Sequence, residues 1–269
     1  MGKNGPQLIT EPTVVLVGTT SIDQYEIRAA LENLGFTWDD LAQVSGDDAE
    51  WLVEMAGRTC YQSWRRQNDP SMGGRTHADH IANLIDSGHL SCLEHCSMTF
   101  LLAGLSRSLT HELVRHRIGV AYSQLSQRFV DSSDVNFVVP PDVQGMADDN
   151  PSLYAAWVSH CEASVELYKR LEQHIDLECS LALSPRDRHK KARQAARSVL
   201  PNATETRMLF TANVRQLRHM IASRASAAAD LEIRNLFIQI FEVFKDKYPL
   251  LAHGMSTVQL PDGTRGVVS

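Results

Sequence analysis

Three stretches of this chain gather side chains that could hold an anion. The first runs from Arg107 to Arg128 and contains Arg115-His116-Arg117 and Ser123-Gln124-Leu125-Ser126-Gln127-Arg128. The second, Arg186 to Arg197, carries Arg186, Arg188, Lys190, Lys191, Arg193 and Arg197. The third, Arg207 to Arg224, carries Arg207, Arg215, Arg218, His219 and Arg224. A guanidinium presents a flat fork of donors that matches phosphate or a planar anionic ring. The second stretch alone reads as a solvated helix face. The third says more. On a helix, Asn213, Leu217, Ile221 and Arg224 share one stripe, and Arg215 and His219 form an i, i+4 pair beside it. Leu217, Met220 and Ile221 interleave with them, which places the arginines at the edge of a core, where an unpaired charge is costly. Ser126 could act as a nucleophile or a donor, but no GxSxG elbow surrounds it, and a loop serine is the plainer reading. Neither GxGxxG nor GxxxxGK[ST] occurs, so side chains rather than a glycine-rich turn must hold any nucleotide.

The bulk composition narrows the classes. The chain has 269 residues, 43% of them hydrophobic and 22% charged, enough for a sizeable core. A net charge of −6 supplies no global basic field. The basic stretches also lack interleaved aromatics, which weighs against the competing reading, an RNA-binding helical module. No apolar run nears the roughly 20 residues that span a bilayer. Residues 1–12 lack a charged-then-apolar leader pattern, so the expectation is a cytoplasmic protein without membrane contact. The cysteines are Cys60, Cys92, Cys96, Cys161 and Cys179. Their odd number and the absence of CxxC speak against a disulfide framework or a zinc site. Cys92 and Cys96 flank His95 and read as small core side chains, with no metal expected.

These groups need elements to position them. Val14 to Val17 reads as a buried strand ending in a turn. Asp23 to Leu34 and Asp47 to Gly57 read as amphipathic helices, each stopped by a glycine. Arg65 to Arg75 reads as a polar loop. Thr76 to Asp86 reads as a helix with Gly88 just beyond it. A strand is expected over His95 to Ala103, then a helix from Leu105 to Arg117 with Ser106 as N-cap. Ile118 to Asp134 is irregular, Asn136 to Val139 suits a strand, and Asp142 to Ser152 suits a polar loop. Helices are expected over Leu153 to Leu177, Lys190 to Leu200 and, singly or as a pair, within Thr211 to Lys247. The tail from Ser256 reads as an arm or a fraying end. Long helices with a few separated strands make an α+β protein, a small antiparallel sheet packed against long helices. No linker or repeat divides residues 1–269, so one domain is expected.

The segments together resemble one family. RHRIGVAYSQLSQRF, residues 115–129, is similar to the Arg-His-Arg, spacer, Ser-x-Arg signature of the flavin-dependent thymidylate synthases. ARSVLPNATETR, residues 196–207, NVRQLRHMIASRAS, residues 213–226, and GHLSCLEH, residues 88–95, resemble further segments of that family in the same order. The resemblance covers about residues 76–250. It implies a homotetramer with active sites built between subunits, one FAD per site, NADPH as reductant and 5,10-methylenetetrahydrofolate as carbon donor. It implies no cysteine nucleophile. Carried over by position, Arg107, Glu112, Gln124, Ser126, Arg128, Lys190 and Arg197 would contact a uridine monophosphate. His89, Ser91, Glu94, Arg115, His116, Arg117, Asn213, Arg215 and His219 would surround the flavin. Arg224 would stand by the pyrimidine and favour its N3-deprotonated form, with Ser126 as the second catalytic candidate.

The chain departs from the family pattern in three places. Eight residues, Ile118 to Leu125, separate Arg117 from Ser126, where seven are usual. Phe129 stands where tyrosine is common, and Ala227-Ala228-Ala229 replaces a frequent histidine. A longer loop could make room for a 2′-hydroxyl. The expected activity is therefore C5 methylation of dUMP extending to UMP, with a specialised UMP C5-methylase like those of polyoxin-type antibiotic biosynthesis as the alternative. A flavin-binding relative that has lost catalysis is a third reading.

Overall fold

The computed structural model describes residues 6–34, 47–63, 75–179 and 183–269. Its strands are β1 (Leu8–Ile9), β2 (Thr13–Thr19), β3 (Ser97–Ser106), β4 (Val120–Gln124), β5 (Phe137–Val138), β6 (Glu205–Asn213), β7 (Ser256–Gln259) and β8 (Arg265–Val268). Its α-helices are α1 (Gln24–Asn33), α2 (Asp48–Tyr61), α3 (His77–Asp86), α4 (Arg107–Leu113), α5 (Pro141–Asp149), α6 (Pro151–Glu178), α7 (Pro185–Ala196), α8 (Val214–Arg224) and α9 (Leu231–Lys247). The fold is α+β, with small antiparallel sheets beside long helices. One sheet has the strand order β2-β3-β6-β4, and β7 and β8 pair antiparallel. β1 and β5 form a two-stranded parallel pair, Leu8 opposite Phe137. Among the described residues no helix is long and apolar enough to cross a membrane.

The chain divides into two compact units. One comprises residues 1–14, 101–115 and 122–209, the other residues 15–100, 116–121 and 210–269. Each is assembled from three separate stretches, which explains why no linker is visible in the sequence. In the first unit, Phe137, Cys161 and Val165 form a core with Trp157 and Leu200 around them. In the second, Phe237, Phe241 and Phe244 of α9 and Leu217, Met220 and Ile221 of α8 are buried. Full burial of an apolar side chain contributes roughly 1.5–3 kcal/mol each.

The helices α1, α3 and α4 begin where they are expected, with Asp23, Thr76 and Ser106 accepting backbone N–H groups of their own first turns. The helix expected over Lys190 to Leu200 instead begins at Pro185, capped by Ser184, and ends at Ala196. Further expectations are corrected. Asp142 to Ser152 is not a loop: α5 begins at Pro141, whose fixed φ suits a first helical position, and no residue of it is buried, so no apolar period marks it. The helix after Ser106 stops at Leu113 rather than Arg117, and the Leu113 carbonyl accepts from Tyr122 Oη at 2.9 Å in place of a further turn. Thr211 to Asn213 belong to β6, and α8 starts only afterwards. The tail is a hairpin, tied back where Val267 N donates to the Ala225 carbonyl at 2.9 Å. The expected loop at 65–74 and the stop at Gly35 lie outside the described residues.

Gly57 does not end its helix, and α2 runs on to Tyr61. A Cβ at Gly57 would meet His80 Nε2 at 2.7 Å and Leu84 Cδ1 at 2.9 Å, so the glycine lets α2 and α3 approach. We expect Gly57→Ala to cost about 1–3 kcal/mol by overpacking, read as a lower urea midpoint with unchanged slope. An unchanged midpoint would mean the crossing spreads freely.

The same crossing buries a polar cluster. Glu54 Oε1 accepts from Arg58 Nε at 2.6 Å and Glu54 Oε2 lies 2.6 Å from His77 Nδ1. Burial raises the Glu54 carboxyl, but His77 and Arg58 outweigh it and hold it below the usual range. His80 is held down at about 4, first by burial and then by the Arg58 guanidinium. The unfolded imidazole titrates at 6.5, so between these values the unfolded chain binds more protons. The His80 contribution is whole above pH 6.5 and is lost as pH falls toward 4. Urea midpoints at pH 7.5 and pH 5 are expected to differ less for His80→Gln than for the wild type. Equal differences would refute this assignment.

Candidate active site

In the first unit, the residues expected to hold the nucleotide cluster around α4, β4 and α7. Arg107 opens α4, which Ser106 caps by accepting from Leu109 N at 2.9 Å. The backbone N–H groups of Arg107 and Ser108 donate to the carbonyls of Thr204 and Asn202, both at 3.1 Å. Arg107 Nη1 is buried and has no hydrogen-bond partner among the described residues. Burial first, and then the like charge of Arg197, hold the Arg107 guanidinium below the ordinary arginine range. Two cations close enough to repel, one with a buried idle donor, cost free energy unless an anion joins them.

Gln124 Nε2 donates to Thr110 Oγ1 at 3.1 Å and Thr206 Oγ1 at 3.3 Å, so the end of β4 is pinned from two sides. Leu125 N donates to the Arg207 carbonyl at 2.9 Å. Ser126 Oγ accepts from Arg128 N at 3.4 Å, a turn contact that leaves the hydroxyl able to donate outward. Arg128 and Lys190 stand 5.9 and 5.1 Å from the Phe129 ring centroid, in cation–π range. Glu112 is ion-paired with Arg115 at 3.1 Å. Sequence reasoning missed Arg193, which donates from Nη1 to the Phe129 carbonyl at 2.9 Å and from Nε to Glu172 Oε1 at 2.7 Å. It braces the turn that carries Ser126 and Arg128. Only its place in a basic stretch hinted at this.

In the second unit a cleft of about 690 Å³ opens between the 3₁₀ segment Leu90–His95 and α8. Glu94, Asn213, Arg215 and His219 of the expected flavin set line it. Arg215 Nη1 donates to Glu94 Oε1 at 2.5 Å. Asn213 caps α8, accepting from Gln216 N at 2.8 Å. Gly119, at φ +67°, passes directly under Asn213, and a Cβ there would meet Asn213 Nδ2 at 2.5 Å. A left-handed turn at such close quarters requires glycine. The eight-residue spacer is thus a turn at Ile118-Gly119 followed by the β4 strand. Ile118, 83% exposed, and Arg218 also line the cleft, and neither was expected there.

The rest of the expected flavin set lies off this lining. His89 stacks on Tyr61 with ring centroids 5.7 Å apart and Tyr61 Oη 2.8 Å from His89 Nδ1. Ser91 and Arg117 are exposed, and Arg115 falls in the first unit. His116 takes another role: its Nε2 accepts from Arg224 Nε at 2.9 Å, and its ring stands edge-on to His219 at 6.1 Å. Arg224, the last residue of α8, is thereby oriented by a side chain 108 residues away. Cys92 and Cys96 are buried, as the core reading expects; Cys161 and Cys179 are buried too, whereas Cys60 is exposed. Burial pushes the Cys96 thiol up to about 12.

One unit thus holds two half-buried arginines close enough to repel, and the other a ligand-sized cleft lined by Leu90, Leu93 and Ile118 as well as by Asn213, Arg215, Arg218 and His219. Residues 41–250 match the model of the family described as thymidylate synthase complementing protein. The chain is 45% identical to a flavin-dependent thymidylate synthase of Mycobacterium avium over 223 residues, covering 83% of this chain and 86% of that one. It is 47% identical to the flavin-dependent thymidylate synthase of Mycobacteroides abscessus over 225 residues, with the same coverage. In fold it is similar to the UMP/dUMP methylase PolB of Streptomyces cacaoi, solved with 5-Br dUMP, at a TM-score of 0.61 and 21% identity over 91% of this chain and 94% of that one. The chain belongs to the flavin-dependent thymidylate synthase family and is an enzyme.

Proposed function

We propose that this chain methylates C5 of dUMP to give dTMP, and also accepts UMP, using FAD, NADPH and 5,10-methylenetetrahydrofolate. It does so as a single domain within a cytoplasmic homotetramer whose subunits share active sites. The observation that carries this reading is the half-buried Arg107, whose buried Nη1 has no partner among the described residues and whose charge is repelled by Arg197: such a site is what a phosphate monoester completes.

In this proposal Arg107, Arg128, Lys190 and Arg197 bind the phosphate, with Ser126 donating its hydroxyl. Gln124, Glu112 and Ser126 orient the nucleoside. The second-unit cleft suits a flavin: its volume lies in the usual ligand range, and Asn213, Arg215 and His219 offer donors to an electron-rich ring and its anionic tail. His89, Ser91, Glu94, Arg115, His116 and Arg117 complete the flavin surroundings. When bound, the reduced flavin supplies hydride to the one-carbon unit. Arg224, oriented by His116, stabilises the N3-deprotonated pyrimidine, and the charge delocalised toward C5 makes that carbon nucleophilic. No covalent cysteine adduct is then needed.

A second reading, a UMP C5-methylase, rests on the eight-residue spacer and on Phe129, which lacks a hydroxyl and stands 52% exposed between Arg128 and Lys190. Tritium release from C5-labelled dUMP and UMP, assayed in parallel with all three cofactors, tests both. Release from dUMP, with or without slower release from UMP, supports the proposal. Much faster release from UMP selects the second reading. Release from neither refutes both.

A further inference from the structure

We infer that Arg218 is the residue that recognises the diphosphate of a dinucleotide in the second-unit cleft, an inference that rests on the flavin reading of that site. The argument is one of charge. The lining residues that bear on it are Glu94, Asn213, Arg215, Arg218, His219 and the last residue Ser269, whose carboxylate forms no ion pair with Arg218. Arg215 is matched by Glu94 at 2.5 Å and brings no net charge. Arg218 sits one turn further along α8 and has no such match. Its guanidinium donates from Nη1 to the Leu251 carbonyl at 2.5 Å, a neutral acceptor. Among the described residues no carboxylate is ion-paired with it. Asp86, whose charge it senses, is engaged by His253 Nε2 at 3.0 Å. Burial pulls the Arg218 guanidinium below the ordinary arginine range.

A half-buried, unmatched guanidinium on a ligand-sized cleft is expensive to keep empty. It is stabilised by an anionic group presenting paired oxygens to the unused part of the fork. Anchoring Nη1 on Leu251 also fixes the plane of that fork in advance, so little rotamer freedom is lost on binding. Ala222, one turn beyond Arg218 on the same face, leaves space beside it. FAD carries such a diphosphate, and so does a nicotinamide dinucleotide. The shared chemistry is the diphosphate.

The test compares the full-length wild type, stripped of flavin, with Arg218→Gln and Arg218→Lys. Glutamine keeps a donor for the Leu251 carbonyl but removes the charge; lysine keeps the charge but not the fork. Binding of FAD and of riboflavin, which lacks phosphate, is measured by fluorescence quenching, and the KM for NADPH by stopped flow on the reloaded enzyme. If Arg218 reads the flavin diphosphate, Arg218→Gln weakens FAD by about ten- to hundredfold and riboflavin by no more than about twofold, with lysine between. If it reads the nicotinamide diphosphate, FAD is unchanged and the KM for NADPH rises by a similar factor. Equal losses of FAD and riboflavin, or no loss of either with an unchanged KM, overturn the inference. A wild type that binds neither dinucleotide would instead sink the flavin reading itself. Should Arg218→Gln unfold, Arg218→Lys still decides, with adenosine as a further ligand. FAD differs from riboflavin by the diphosphate and the adenosine together, so a loss for FAD but for neither riboflavin nor adenosine isolates the diphosphate. An equal loss for adenosine overturns the inference.

Discussion

Arg224→Ala is expected to keep its fold and its flavin while turnover of dUMP falls by about 10²–10³-fold, the scale of losing one preorganised charge-stabilising donor. The residue ends α8 and is half-buried, so truncation removes little core. What it removes is a guanidinium whose Nε is fixed on His116 Nε2 at 2.9 Å. A fixed cation costs no reorganisation when negative charge develops on the pyrimidine, which is why the loss should appear in kcat more than in KM. The measurement is single-turnover C5 tritium release beside the flavin absorbance of the same sample. Near-normal release would show that another group carries the N3 charge. His116→Ala should give a smaller loss of the same kind, since it frees the guanidinium without removing it.

Arg107→Met should move two quantities in opposite directions. The KM for the nucleotide is expected to rise about ten- to hundredfold, as a charge-assisted phosphate contact is lost. Nucleotide-free stability should hold or increase, because the variant removes a buried, partnerless Nη1 and its repulsion with Arg197. Thermal melts with and without inorganic phosphate make the comparison: phosphate should raise the wild-type midpoint and leave the variant nearly unmoved. A destabilised variant with an unchanged KM would mean that Arg107 serves the packing of α4 and that the phosphate binds elsewhere.

These two arginines also show how sequence and structure divide the information. Arg224 was placed by its helix stripe with Asn213, Leu217 and Ile221, and α8 buries Leu217 and Ile221 as that stripe requires. Some helix starts were legible too, because a cap such as Ser106 or Thr76 acts on a backbone N–H three residues on, whereas α5, α7 and α8 begin away from their expected places. The ordered segments that carry the family resemblance are likewise a property of the chain alone.

What the sequence could not contain is which distant groups meet. The repulsion between Arg107 and Arg197 joins residues 90 positions apart only once α4 and the end of α7 are packed. The bond from Arg224 to His116 spans 108 residues. Gly57 looked like a helix stop because glycine is a poor helix former, yet the tight approach of α3 gives it a reason to stay inside one. Helix α5 was hidden because none of its side chains is buried. Arg218 stands out from its basic neighbours only in the folded chain, where Glu94 pairs with Arg215 and not with it. Local structure, composition and chemical inventory follow from the chain alone, because they depend on neighbours within a turn or two. The tertiary structure alone decided which charges are matched and which are left for a ligand, because burial and long-range contact exist only in the folded chain.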